Sequence, residues 1–297
     1  MYKKFYGFTE KPFNTSPDPK FFYGSELHTE ALSGLWYAIE ERKGFVAIMG
    51  DIGAGKTTVC RTLMSKLGKD TRVALITNTH MTPRELIAEI LEEFDIEPNG
   101  TSKQKMLSAF KRFLIQQLEA DVNVVLIIDE AQNLSSKALE EVRMLSNLET
   151  DREKLIQIIL LGQPQLKAKL ENPKLEQFRQ RIAFSYFIQP LSQEDTMAYI
   201  CHRLKIAGCD DVHHIFSDEA LEMIYQHTHG IPRLINLFCD SALFAGFAES
   251  SKPLTTRIIT DVARERSFDH RPQGTHPAHQ RPATEDMHTQ AVITGDL

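Results

Sequence analysis

The segment that most constrains the fold of this chain is an apolar run followed at once by a glycine-rich turn. Residues 45–49 read FVAIM, and residues 50–57 read GDIGAGKT, which fits the pattern G-x-x-x-x-G-K-[ST]. The run is typical of a buried strand, and a helix opens after the pattern. In that context backbone N–H groups converge on phosphate oxygens, and glycine permits their close approach. The sequence therefore predicts a phosphate-binding loop within an α/β fold.

The residues of this loop have predicted roles. We expect Lys56 to bridge the β- and γ-phosphates of a nucleoside triphosphate and the Thr57 hydroxyl to coordinate Mg²⁺. The predicted nucleotide-binding residues are Gly50, Asp51, Ile52, Gly53, Ala54, Gly55, Lys56, Thr57 and Thr58. The alternative is a chance match in a glycine-rich turn, which the flanking strand and helix disfavour.

A pair of acidic residues follows another apolar run. Val124–Ile128 delivers Asp129 and Glu130 to the carboxyl end of a predicted buried strand, where open α/β sheets bind ligands. We assign Asp129 to the Mg²⁺ shell beside Thr57, and Glu130 to polarising the water that attacks the γ-phosphate. The alternative is an acidic cap on the next helix. The pair favours hydrolysis of ATP, so a small-molecule kinase is the weaker interpretation.

Five short apolar runs recur along the chain, each followed by a helical pattern. They cover residues 45–49, 72–77, 122–129, 155–161 and 184–188. Near-continuous apolarity is typical of strands that are buried on both faces of a parallel sheet. In the helix predicted over 102–119, one stripe is apolar and four cations, Lys103, Lys105, Lys111 and Arg112, lie largely outside it.

The patterns divide the chain into four parts. Residues 1–44 are expected to pack on the core of an α/β domain at 45–190, and only helix signals follow over 191–268, with Ser192 and Ser217 as N-caps. The tail at 269–297 is polar and predicted to be disordered. The N-terminal aromatics Phe5, Phe8, Phe13, Phe21 and Phe22 either surround an adenine or seal the sheet, and sealing is the favoured interpretation.

Composition limits the classes of function. The 297 residues are 42% hydrophobic with a net charge of −6, which argues against a general nucleic-acid coat. No apolar stretch reaches the length of a membrane span, and the N-terminus lacks a signal peptide, so we expect a cytoplasmic chain without membrane insertion. The four cysteines form no Cys-x-x-Cys pair and are expected to be reduced thiols.

Several separated motifs together resemble a known family. They are the N-terminal FYGFTEKPFNTSPDPKFFYGSELHTEAL, then IIDEAQNL, LLGQPQL, FRQRI and HGIPRLINLFCD, in that order. The chain resembles AAA+ ATPases of the general secretion pathway A (ExeA-like) group, which is related to MshM-type pilus biogenesis and TnsC-type transposition ATPases. The resemblance covers about residues 2–268. It implies a P-loop NTPase with a RecA-like αβα sandwich, a five-stranded parallel sheet and a helical lid, with neighbouring subunits completing the nucleotide site.

The resemblance assigns two sensors of the γ-phosphate. Gln163 matches the first sensor at the end of the fourth strand, although many members of the superfamily have Asn there, and it is alternatively a turn residue before Pro164. Arg233 matches the second sensor, which reaches from the lid to the phosphates of its own subunit, a task that suits a fixed charge with forked donors.

The resemblance also places an arginine finger in the motif FRQRI. Arg181 is the first choice for contacting the γ-phosphate of the adjacent subunit, and Arg179 is the second. Either arginine is alternatively a solvated cation or an ion-pair partner of Glu171 or Glu176.

Two biological roles follow from the resemblance. The first is an oligomeric ATPase, a ring or a filament, that uses ATP and Mg²⁺ to drive or regulate assembly of a type II secretion or type IV pilus-like envelope complex. Its protein partner is unidentified and would recruit it to the inner membrane. ExeA-like proteins continue into a membrane span and a peptidoglycan-binding part, whereas this chain ends in a polar tail, so we expect no cell-wall contact. The alternative is a TnsC-like regulator of transposition that binds DNA.

Overall fold

The computed structural model describes residues 1–150 and 153–266. The predicted disordered tail at 269–297 and the last two residues of the predicted lid, 267 and 268, lie outside the described residues. The division at residues 45 and 191 remains an interpretation of the sequence.

The described residues contain one five-stranded sheet. Its strands are β1 Phe45–Gly50, β2 Thr71–Ile76, β3 Asn123–Ile128, β4 Gln157–Gly162 and β5 Ile182–Ile188. The order across the sheet is β2-β3-β4-β1-β5, and every neighbouring pair is parallel. The predicted parallel α/β fold is therefore confirmed, and all five apolar runs form strands.

Helices connect the strands and continue after the sheet. They are α1 Tyr2–Tyr6, α2 Glu26–Glu40, α3 Lys56–Lys66, α4 Pro83–Glu93, α5 Lys103–Glu119, α6 Ser136–Ser146, α7 Pro164–Leu170, α8 Glu176–Arg179, α9 Gln193–Ile206, α10 Asp218–Thr228, α11 Pro232–Ala248 and α12 Thr256–Arg266. The side chains of Ser192 and Ser217 accept hydrogen bonds from the first turns of α9 and α10, as predicted. No helix within 1–150 and 153–266 is long and apolar enough to cross a membrane.

The sheet lies between two hydrophobic clusters. Alternate residues of β1 face opposite sides: Phe45 packs with α4 to α8, and Val46 packs with α2 and α3. The strands β1 and β4 are buried at every position. In β2 half-buried residues alternate with one exposed and two buried residues, and in β5 half-buried residues alternate with exposed ones before a buried last residue. The expectation of burial on both faces is wrong for these two strands, because they form the edges of the sheet and are covered less completely.

A third cluster belongs to the helical part that follows the sheet. It joins α9 to α12, and the N-terminal aromatics Tyr2, Tyr6, Phe8 and Phe13 are buried within it. The interpretation that the N-terminal phenylalanines seal the sheet is therefore wrong for Phe5, Phe8 and Phe13, because Phe5 also packs against this cluster. Phe22 alone of the five predicted sealing residues packs against a cluster of the sheet. Because α1 contacts α11, the start of the chain is attached to the helical part.

Candidate functional site

A cleft of about 360 Å³ lies between the glycine-rich loop after β1, the N-terminal segment and the start of α11. The predicted site residues that line it are Ile52, Gly53, Gly55, Lys56, Thr57, Thr58, Glu130 and Arg233. Residues 15–18 and 21–23 form the wall on the N-terminal side. The carboxyl ends of the strands thus open onto a cavity to which several separate parts of the chain contribute.

The glycines of the loop are required by its backbone and by its neighbours. Gly53 and Gly55 have φ of +83° and +104°, a region that residues with a Cβ rarely adopt. A Cβ at Gly53 would lie 2.7 Å from the Arg233 Cβ, and a Cβ at Gly55 would lie 2.7 Å from His28 Nε2. Close approach of neighbouring side chains therefore adds to the predicted reason for glycine, which is close approach of a phosphate.

Lys56 begins α3 and is buried within the loop. Its Nζ donates hydrogen bonds to the carbonyl oxygens of Gly50 and Asp51, both at 2.9 Å. Burial lowers the pKa of Lys56, while the nearby carboxylates of Glu130, Asp129 and Asp51 oppose this shift. The ammonium group is thus held at the mouth of the loop by acceptors that a bound anion can replace.

The structure brings Thr57 and Asp129 together across two strands. The Thr57 hydroxyl donates to Asp129 Oδ2 at 3.0 Å, although the two residues are 72 positions apart. Asp129 is 9% exposed, and its Oδ1 accepts the backbone N–H of Glu130 at 2.8 Å. A hydroxyl and a carboxylate at the base of a phosphate-binding loop are the hard oxygen donors that suit Mg²⁺. The residues present therefore fit the predicted ion.

Glu130 and Gln163 are in direct contact. Gln163 Nε2 donates to Glu130 Oε2 at 2.8 Å, and the Gln132 amide donates to the same oxygen. Gln132 Oε1 also accepts the backbone N–H of Gln163 at 3.0 Å. Glu130 itself has φ 51° and ψ 39°, a left-handed conformation that is uncommon for a residue with a side chain. Two amides from different elements thus fix this carboxylate at the edge of the cleft.

Arg233 lies on the far side of the cleft from the sheet. It is the second residue of α11, and its backbone N–H donates to the carbonyl of Gly53 at 3.3 Å. Its side chain lines the cleft. The helical part therefore contacts the loop directly at the predicted second sensor.

Arg179 and Arg181 lie outside this cleft. Arg179 is exposed at the end of α8, and Arg181 is half-buried just before β5. Among the described residues neither arginine forms an ion pair with Glu171 or Glu176, so that alternative is not observed. The structure does not bring either side chain to the cleft of its own chain.

The comparisons with known proteins agree with this geometry. The family described as AAA domain matches residues 39–170, which contain the loop, Asp129 and Glu130. The chain contains an AAA domain. It is 43% identical over 268 residues to the general secretion pathway protein A of Aeromonas hydrophila, an alignment that covers 90% of this chain and 49% of the relative. The chain thus spans about half the length of that relative.

Solved structures support the fold of this AAA-domain protein. The ORC2 protein of Aeropyrum pernix, in its ADPNP–ADP complexes, superposes with a TM-score of 0.66 at 16% identity, covering 87% of this chain and 72% of that one. The Drosophila ORC bound to DNA gives a TM-score of 0.67 at 15% identity, covering 90% and 66%. At these identities the likeness shows the shared fold, including the helical part.

Sequence reasoning missed His28 of the AAA-domain protein. This residue of α2 is 5% exposed, with Nδ1 2.6 Å from Ser25 Oγ and Nε2 2.9 Å from the Ala54 carbonyl oxygen. Because a carbonyl oxygen only accepts hydrogen bonds, Nε2 carries the proton and donates it to Ala54. This hydrogen bond connects the glycine-rich loop to α2. Burial lowers the pKa of His28. The available signal was a histidine on the buried stripe of α2 with Ala31 and Leu35.

A second missed group lies at the opposite end of the cleft. Arg203 of α9 is 5% exposed, and its guanidinium lies 4.6 Å from the centre of the Phe21 ring. Its Nη1 donates to the Tyr199 hydroxyl at 2.8 Å, and that hydroxyl donates to Asn236 Oδ1 at 2.9 Å. All four side chains line the cleft. An arginine on the buried stripe of a helix was the signal that could have revealed this chain of contacts.

Proposed function

We propose that this AAA-domain protein binds ATP with Mg²⁺ in the cleft and hydrolyses it to ADP and phosphate. The observation that carries the proposal is the 3.0 Å contact between Thr57 and Asp129, with Glu130 beside them and in contact with Gln163. A phosphate-binding loop alone also suits kinases and other transferases. A carboxylate placed next to the metal-binding pair supplies what is needed to activate water.

The loop would hold the triphosphate before any chemistry occurs. Lys56 would exchange its two carbonyl partners for the β- and γ-phosphates, while backbone N–H groups of the loop and the first turn of α3 donate to phosphate oxygens. Thr57 and Asp129 would hold Mg²⁺, which neutralises phosphate charge and orients the γ-phosphate. Arg233 would approach the same phosphates from α11, as its place in the cleft permits.

Glu130 would act on the attacking water. Its carboxylate is the acceptor that orients a water and draws its proton as the γ-phosphate is attacked. The amides of Gln132 and Gln163 hold that carboxylate, and Gln163 can turn toward the γ-phosphate when nucleotide is present. Gln163 would thus join the base and the phosphate as the first sensor, and its contact with Glu130 supports this role.

Two variants test the proposal. Lys56→Ala should abolish the heat of MgATP binding in calorimetry, because the loop loses its only buried cation that faces the phosphates among the described residues. Glu130→Gln should keep MgATP binding and lower the rate of phosphate release by about a hundredfold or more, since it removes a general base. Lys174→Ala, an exposed lysine outside the cleft, is the control. Unchanged binding in Lys56→Ala, or full activity in Glu130→Gln, would contradict the proposal.

For the biological role, we infer an ATPase that drives or regulates assembly of an envelope complex of the type II secretion or type IV pilus kind. The identity of 43% to a general secretion pathway protein A supports this role. The protein would act in the cytoplasm as a homo-oligomer, ring or filament, and a protein partner would recruit it to the inner membrane. Capture with the Glu130→Gln variant in the presence of ATP should retain that partner, whereas capture with Lys56→Ala should not.

A DNA-bound regulator is the second candidate. It is favoured by the exposed positions of Lys103, Lys105, Lys111 and Arg112 along α5. Lys103 is paired with Glu141, however, and so is partly neutralised. Retardation of duplex DNA that requires ATP and weakens with salt would support this role, and no retardation at low salt would remove it.

A further inference from the structure

A second concave surface lies on the α/β part, away from the nucleotide cleft. It is a groove of about 600 Å³ between α4, the loop at 95–101 and the first turns of α5, and we refer to it as the α4–α5 groove. The groove and the nucleotide cleft share no lining residue. The groove therefore has no part in binding the triphosphate.

The floor of the α4–α5 groove is apolar. The residues that form it are Ala88, Leu91, Ile96, Pro98 and Met106. Leu91 and Met106 are 2% and 4% exposed, so the groove reaches down to side chains of the main core. Ala88 is exposed on α4, and its small side chain leaves the space above the floor open. An apolar groove of this shape is the form that receives an amphipathic segment.

The rim of the groove is strongly acidic. Segment 84–97 contains six carboxylates and one cation, and Glu85, Glu92, Asp95 and Glu97 line the groove. The single cation, Arg84, donates to the Thr101 carbonyl at 2.8 Å across the groove. Asp95 lies 3.7 Å from Arg72. Among the described residues, Glu92 and Glu97 form no ion pair, so their negative charge is available to a partner.

The apolar floor and the acidic rim together indicate which kind of ligand the groove can bind. The carboxylates along this rim repel nucleic acid and anionic lipid surfaces, since both present phosphates. It attracts Lys and Arg, while the floor requires apolar side chains from the same segment. An amphipathic segment with an apolar stripe and flanking cations meets both requirements.

We propose that the α4–α5 groove is the docking site for a cationic amphipathic segment of a partner protein. The apolar stripe of the segment packs on Leu91, Ile96 and Met106, and its basic side chains face Glu92 and Glu97. The proposal does not depend on nucleotide binding, because the groove and the nucleotide cleft are separate.

A designed pair of peptides tests the proposal on the full chain. The first is a short helical peptide of Leu and Lys with one apolar face, and the second carries Glu in place of every Lys. Fluorescence anisotropy should detect binding of the Leu/Lys peptide alone. The double variant Glu92→Lys/Glu97→Lys should weaken that binding by about tenfold or more, whereas Glu40→Lys/Glu119→Lys, with the same change of charge on exposed positions elsewhere, should weaken it much less.

A second pair of variants distinguishes binding of the peptide in the groove from nonspecific electrostatic binding elsewhere on the surface. Ala88→Gln fills the space above the floor without changing charge and should weaken peptide binding, whereas Ala168→Gln, at an exposed position of α7, should not. Equal affinity in the wild type and the Ala88→Gln variant, equal losses in both charge-reversal variants, or binding of the Glu peptide would overturn the proposal. A change of oligomeric state caused by Glu92→Lys/Glu97→Lys alone would also overturn it, because the groove would then hold a second copy of this chain.

Discussion

At the scale of single residues, the site depends on side chains whose partners lie far away in sequence. Glu130 follows a buried strand, but its left-handed backbone turns its carboxylate toward Gln163 at the end of β4. That conformation costs about 1–2 kcal/mol for a residue with a Cβ. His28, which is 26 positions before Ala54, fixes the loop in a similar way from α2. The shape of the phosphate-binding loop is thus set from outside the loop.

His28 gives a prediction about pH. Its pKa in the folded protein is lowered by burial, so below about pH 6.5 the unfolded chain binds a proton that the folded chain resists. The free energy of unfolding should therefore fall as pH drops below about 6.5, and it should be independent of this group above that pH. The hydrogen bond to the Ala54 carbonyl and the charge of Asp195 oppose this lowering of the pKa but do not reverse it.

Urea unfolding between pH 5 and pH 7.5 measures this effect. The His28→Gln variant should lose part of the acid slope, since a single titrating group contributes at most about 1.4 kcal/mol per pH unit. His80→Gln, an exposed histidine, should keep the full slope and is the control. An identical slope in the wild type and in His28→Gln would show that the imidazole does not carry the effect.

At the scale of elements, one buried guanidinium attaches the N-terminal segment to α9. Arg203 Nε donates to the Pro12 carbonyl at 2.5 Å, and Nη2 donates to the Asn14 carbonyl at 3.1 Å. The residues immediately after this attachment, 15–18, form the wall of the nucleotide cleft. The helical part and the wall of the cleft are therefore held as one unit by a residue that carries no predicted catalytic role.

Arg203→Leu should detach this wall. It leaves two backbone carbonyls without their charged donor, and we expect a loss of about 2 kcal/mol in the free energy of unfolding. Limited proteolysis should then cleave near residues 10–20 faster than in the wild type, and MgATP should bind more weakly. Lys205→Leu, an exposed cation on the same helix, should show neither change. Normal protease resistance in Arg203→Leu would argue against the attachment.

At the scale of the whole molecule, the cleft is lined by residues, such as Phe22 and Tyr199, that belong to or pack against two of the three hydrophobic clusters. Of the three, two cover the faces of the sheet, and the third joins the helical part to the start of the chain. Arg179 and Arg181 lie outside the cleft of their own chain, on and just after α8. A role in catalysis for either arginine therefore requires a neighbouring copy, as an arginine finger supplied in trans.

A mixing experiment tests this requirement for the proposed ATPase. Arg181→Ala should bind MgATP normally and lose most hydrolysis, by about a thousandfold if it is the finger, while Lys56→Ala should bind none. When the two inactive variants are mixed, activity should return in part, because composite sites join an intact loop to an intact Arg181. Arg179→Ala should stay active if Arg181 is the finger. A mixture that remains inactive, or a wild-type rate that is proportional to concentration, would contradict a trans site.

The sequence by itself determined the sheet, the loop and the pairing of Thr57 with Asp129. These follow from local patterns: apolar runs specify buried strands, G-x-x-x-x-G-K-[ST] specifies a loop between strand and helix, and the end of a strand specifies where Asp129 must lie. The fold class and the placement of Thr57 next to Asp129 were predictable because parallel strands end at one edge of the sheet.

The tertiary structure alone decided what surrounds the loop. His28, Gln132 and Arg203 form hydrogen bonds with partners that no local pattern encodes. The N-terminal aromatics Tyr2, Tyr6, Phe8 and Phe13 pack with the apolar residues of the helical part and not with the sheet. The exposed edges β2 and β5 and the α4–α5 groove likewise depend on which surfaces the helices leave uncovered. Local sequence patterns determine where each helix and strand forms, but which surfaces become buried depends on how these elements pack together.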